Sequence, residues 1–133
     1  MDAYISREAQ NALEAVLLSS RPEQLDGLLI GHHRGHRLFV EKALVTGPGL
    51  FSSFDKYLEA AQRFPGEVIG FFTFSDDGHT SKKILAPFAY GRLFLRIETE
   101  SDRIIRIHSS LVEFEKDFYL KPIPLRGQKK SRK

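Results

Sequence analysis

The sequence predicts a single α/β domain, a mixed sheet with flanking helices, and three stretches carry that expectation. The first is Glu67 to Ser81, where the apolar run of Val68, Ile69, Phe71, Phe72 and Phe74 passes straight into a polar, glycine-containing loop. A strand covered on both faces reads this way. The second is residues 7 to 19, in which Ala9, Ala12, Leu13, Val16 and Leu17 recur at the spacing of one buried helical face. The third is residues 53 to 64, where Phe54, Tyr57, Leu58, Ala61 and Phe64 repeat at helical spacing until Pro65 and Gly66 stop the pattern. Helix, tight turn and buried strand in succession is an α/β arrangement.

A chain of 133 residues that is 41% hydrophobic is long enough for one core and too short for two. Eleven Phe and no Trp point to a phenylalanine-rich interior. Without Cys, disulfides, thiolate zinc sites and cysteine catalysis are excluded. No apolar run approaches the roughly 18 residues of a membrane helix, and MDAYISREAQ has no signal-peptide pattern, so a soluble cytoplasmic protein is expected. Arg126, Lys129, Lys130, Arg132 and Lys133 carry five positive charges; subtracting them from the net +3 leaves the body at −2. The high pI therefore belongs to a basic, disordered tail over 126–133, and residues 1–125 form the domain. Such a tail could touch nucleic acid only by salt-sensitive electrostatics, since it has no aromatic side chain to stack on a base.

In chain order, Ser6 caps the first helix, and Pro22 ends it by forcing Arg21 out of the helical region. Residues 26 to 45 read as two strands, Leu28 to Ile30 and Leu38 to Leu44, around a polar turn. His32, His33 and His36 lie in that turn. Their His-x-x-x-His spacing suits a metal only on a helix, whereas Gly31 and Gly35 favour a hairpin tip. Ser52 and Asp55 resemble a helix-start signature for the second helix. After the polar loop, Ser81 to Ala89 allows a short helix limited by Pro87. GRLFLRIE from Gly91 and RIIRIHS from Arg103 alternate apolar and polar, an antiparallel pair with one wetter face. Val112, Phe114, Phe118 and Leu120 are candidates for an edge strand or for docking, which Pro122 and Pro124 also fit.

Two motifs in this order resemble the JAB/MPN/Mov34 metalloprotease-like family. Residues 24 to 31, QLDGLLIG, resemble its Glu-x-x-Gly-hydrophobic-Leu-hydrophobic-Gly strand, and residues 70 to 76, GFFTFSD, resemble its Gly-aromatic-aromatic-His-x-His strand end. The resemblance spans about residues 5 to 110 and implies the family's α/β fold. It also implies lost catalysis, because Gln24 stands where the family has its general-base Glu, and Glu23 is one residue away on the opposite strand face. Thr73 and Ser75 stand where the two zinc-binding histidines would be, and the Ser-x-x-Asp is incomplete, since Ile84 follows Ser81 at the third place. Hydroxyls are poor ligands for zinc, and water without the metal yields no hydroxide at neutral pH.

The implied function is a non-catalytic interaction or dimerisation module, with no cofactor, whose vestigial pocket is Gln24, Thr73, Ser75 and Asp77. The competing reading is a metal-dependent isopeptidase or peptidase whose zinc ligands are displaced to Glu23, Asp76, Asp77, His79 and His108. Against it, Asp76, Asp77 and Gly78 are ordinary turn chemistry. The expected partner is another protein or a second copy, with no membrane. Nucleic acid, reached through the tail, is the third reading.

Overall fold

A computed structural model of the chain describes residues 1–16, 25–47, 59, 62–63, 68–74, 84–101 and 104–127. It is built on a mixed sheet: β1 (Asp2–Ile5), β2 (Asp26–Arg34), β3 (Arg37–Gly47), β4 (Val68–Phe74), β5 (Leu93–Ser101), β6 (Ile104–Glu115), β7 (Asp117–Pro122) and β8 (Leu125–Arg126), in the order β7-β6-β5-β4-β2-β3-β1-β8. The α-helix α1 (Arg7–Ala15) follows β1, and a 3-10 turn spans Pro87–Ala89.

This corrects the expected sheet with flanking helices. Residues 2 to 5, to which the sequence assigned no element, form a strand parallel to β3. Of the helix expected over residues 53 to 64, Glu59, Gln62 and Arg63 are helical; the rest lies outside the described residues, as do residues 17 to 19 of the first helix. All seven residues of β4 are buried, as its apolar run requires. The inference from that run to helices on both faces is what fails, because much of the cover comes from the sheet itself.

The last strands show how. Ile123 donates its N–H to Ser109 O on β6 at 3.2 Å, and the next residue, Pro124, accepts from Ala3 N on β1 at 3.0 Å. In a flat sheet of this order β6 and β1 would be five spacings of ~4.8 Å apart, about 24 Å. Two consecutive residues cannot bridge that distance, so the sheet curls until the β7–β8 segment joins its two ends. The concave side encloses the larger core: Ala3, Ile5, Leu29, Val40, Phe72, Phe74, Leu95 and Leu111, with Ala9 and Leu13 of α1 laid against them. Ser6 caps α1 through its side chain, which accepts from Ala9 N at 3.0 Å, as its place before the apolar period leads one to expect.

The convex side carries a smaller cluster, Leu28, Val68, Phe71, Phe94 and Val112, covered by Ile84 and Ala89 around the 3-10 turn. The β2–β3 hairpin turns at Gly35 and His36, with Gly35 at φ +60°; His36 is in the expected turn, whereas Gly31, His32 and His33 belong to β2, where His32 and His33 pair with Phe39 and Leu38. Among the described residues no helix is long and apolar enough to cross a membrane.

Candidate functional site

Cross-strand registers place one polar row on the convex face. Asp26 of β2 pairs with Thr73 of β4, Thr73 with Arg96 of β5, and Arg96 with His108 of β6. One step along, Glu98 pairs with Arg106. Residues two apart share a strand face, so these side chains continue the face on which Leu28, Phe71 and Phe94 are buried. The row lies at the carboxyl end of the parallel pair β4 and β5.

Its inner end is closed. Thr73 and Asp26 are 3% and 8% exposed, and the Thr73 hydroxyl donates to Asp26 Oδ1 at 2.6 Å. Its outer end is open and charged: Arg96 Nη1 lies 2.7 Å from Glu98 Oε2, and His108 Nε2 lies 3.1 Å from Glu98 Oε1. His108 first, then Arg96, hold the Glu98 carboxyl below its usual range. A histidine oriented by a carboxylate is half of a nucleophilic constellation. The row's hydroxyl does not complete it, because Thr73 is two strands from His108, about 10 Å by strand spacing, and donates to Asp26 instead.

Of the residues singled out in the sequence, Thr73 and His108 are thus brought onto one face, with the Arg96 cation between them. Glu23, Gln24, Ser75, Asp76, Asp77, His79, Lys129, Lys130, Arg132 and Lys133 lie outside the described residues. Among the described residues no group of three or more His, Asp or Glu side chains is arranged to hold a metal ion. His32 stacks on Phe39 with centroids 5.0 Å apart and meets Glu41 Oε1 at 3.3 Å. Arg126 belongs to β8, one residue into the segment read as a tail.

There it forms a clamp that sequence reasoning missed. Asp2 receives Arg37 through two bonds, Nε to Oδ1 at 2.9 Å and Nη2 to Oδ2 at 3.0 Å, and Arg126 Nε at 2.8 Å. Arg37, then Arg126, hold the Asp2 carboxyl down at about 2. The clamp fastens the closing segment to β1 and β3 beside an open recess of about 480 Å³ lined by Met1, Asp2, His36, Arg37, Pro124 and Arg126. Three residues 35 and 124 apart in sequence leave no local pattern that would reveal it.

The remaining feature is the β6–β7 hairpin, whose Phe114 and Phe118 the sequence marked for an edge or for docking, and whose Tyr119 it did not. Lys116 turns it at φ 75°, and β7 has β6 as its one partner among the described strands. Phe114 is 52% exposed and Tyr119 41%, while the Phe114 and Phe118 rings lie 4.8 Å apart. Apolar surface is therefore displayed on the hairpin whose outer strand, β7, has a side unpaired among the described strands.

No family model matches the sequence, and no curated protein matches it. Among solved structures the chain is similar to the solution structure of protein DSY2949 from Desulfitobacterium hafniense, with a TM-score of 0.62 at 18% identity, covering 95% of this chain and 94% of that one. At that identity the likeness establishes a shared fold and nothing further.

Proposed function

We propose that the chain is a non-catalytic protein-interaction module that binds through the β6–β7 edge. The observation that carries this reading is exposed aromatic surface on both faces of the β6–β7 hairpin, Phe114 against Phe118 on the convex face and Tyr119 on the concave one, beside a side of β7 that no described strand pairs. Edge strands normally carry features that discourage pairing, and an edge dressed with aromatics favours strand addition by another chain. The polar row supports the non-catalytic half. Its hydroxyl and its imidazole each already face a carboxylate, and the Arg96 guanidinium between them opposes capture of a metal cation.

Photo-crosslinking in the native host tests the reading. With a photoreactive residue replacing Tyr119 in the full chain, the expected result is a discrete protein adduct that is absent when the same residue replaces the exposed Tyr4 on β1. Absence of any adduct at Tyr119 would refute it. Stoichiometric zinc in protein purified without chelator, removed by Asp77→Ala with His79→Ala, would instead favour the displaced-ligand hydrolase.

A further inference from the structure

We propose that the partner of the β7 edge is a second copy of this chain, joined antiparallel about a two-fold axis at Tyr119. This deepens the interaction-module reading and rests on it. Three independent properties of residues 117 to 121 point to the same register.

The first is backbone phase. Ile123 N donates to Ser109 O, and the β6–β7 register keeps pace with that pair, so Asp117, Tyr119 and Lys121 direct their backbone groups to β6. Phe118 and Leu120 direct theirs away from the sheet. Antiparallel pairing of Phe118 with the second copy's Leu120, and the reverse, exchanges N–H and C=O on both sides of the axis. Shifting by two residues in one direction brings in Pro122, which has no N–H to give; in the other it brings in Lys116, whose positive φ departs from the strand.

The second is charge. In this register Asp117 faces Lys121 of the second copy, twice per dimer. Within one chain Asp117 stands opposite Glu115, a like-charge cross-strand pair that an incoming Lys relieves. The third is apolar complement: Phe118 and Leu120 lie on the convex face, so each meets the other across the axis, continuing the Phe114–Phe118 contact. The segment Asp-Phe-Tyr-Leu-Lys is self-complementary when reversed, which is what an isologous interface requires.

Sedimentation velocity on the full chain over a concentration series tests this. Wild type is expected to show a concentration-dependent monomer–dimer equilibrium. Asp117→Lys and Lys121→Asp each place like charges opposite one another and are expected to weaken association by about tenfold or more. An equimolar mixture of the two variants restores both opposite-charge pairs and is expected to return the dimer. Leu120→Pro, which deletes an N–H that β6 does not use, is expected to abolish dimerisation without unfolding, as circular dichroism would verify. A chain that stays monomeric to its solubility limit overturns the proposal, as does a dimer indifferent to the charge exchange and to Leu120→Pro. If the chain is monomeric yet Tyr119 crosslinks to a different protein, the interaction-module reading stands and the self-pairing falls; with no crosslink at all, both fall.

Discussion

Replacing Thr73 by Val tests whether the inner end of the polar row holds the sheet together. The two side chains are close in shape, so the change deletes one hydroxyl and little else. That hydroxyl donates at 2.6 Å to a carboxylate that is 8% exposed, from a residue that is 3% exposed, and water cannot readily replace it. A hydrogen bond to a charged group contributes about 1.5–3 kcal/mol net. For 133 residues the unfolding entropy is about 0.28 kcal/mol/K. The expected fall in Tm is therefore about 5–11 °C, read by scanning calorimetry, with a matching loss in urea titration. Thr73→Ser keeps the donor and should recover most of it. The reasoning is refuted if Thr73→Val stays within about 0.5 kcal/mol of wild type, or if Thr73→Ser costs as much as Thr73→Val, since the methyl would then matter and not the bond. A double-mutant cycle with Asp26→Ala isolates the pair, because each single change removes the Thr73–Asp26 hydrogen bond.

Further outcomes follow from other parts of the sheet. At Gly31 an added Cβ would meet the Phe39 carbonyl oxygen at 1.8 Å, backbone that cannot swing aside, so Gly31→Ala should prevent folding or cost more than about 3 kcal/mol by chemical denaturation. Gly35 has open space around it and φ +60°, so Gly35→Ala should cost only the left-handed penalty of about 1–2 kcal/mol; equal losses at the two positions would contradict this. Acid should loosen the closing segment. The Asp2 carboxyl is lowered from 3.8 to about 2, so its contribution is present above 3.8 and is lost as pH falls from there through about 2. Urea unfolding at stepped pH should show that decline, and Asp2→Asn should flatten it; an identical slope in the variant would mean that the clamp adds nothing. Phe71, fully buried between Leu28 and Phe94 in the sheet, should cost about 3–5 kcal/mol on truncation to Ala, measured as a shift in urea midpoint at unchanged slope.

Much of the local structure was legible because its signals are local. Ser6 with the apolar period after it gave the start of α1, Gly35 gave the hairpin tip, and the alternation in GRLFLRIE and RIIRIHS gave an antiparallel pair with one wetter face, the face on which the structure puts Arg96 opposite His108. Pro122 and Pro124 likewise marked the chain's end as an edge. What escaped was set by closure. Asp2 to Ile5 is too short to show a strand period and is held by Arg37 and Arg126 from far along the chain. The run from Val68 to Phe74 says that both faces are covered, and it says this equally whether helices or a curled sheet provide the cover. Composition also assigned Arg126 to a solvated tail, although Asp2 uses its charge to fasten the last strand.

The same curl explains why the outer side of β7 has no partner among the described strands. The segment from Asp117 to Arg126 is one strand's length, yet it pairs with β6 over its first part and with β1 over its last two residues. It crosses from one end of the sheet to the other between Pro122 and Leu125, so β7 and β8 do not lie side by side, and the outward backbone groups of Phe118 and Leu120 are left beyond the seam. A fully closed barrel would have consumed them. Here closure is complete around Ile123, which is buried, and incomplete around Tyr119, which is 41% exposed. The available pairing surface is thus a direct product of where the strand changes partners, and lengthening β8 at the expense of β7 would remove it.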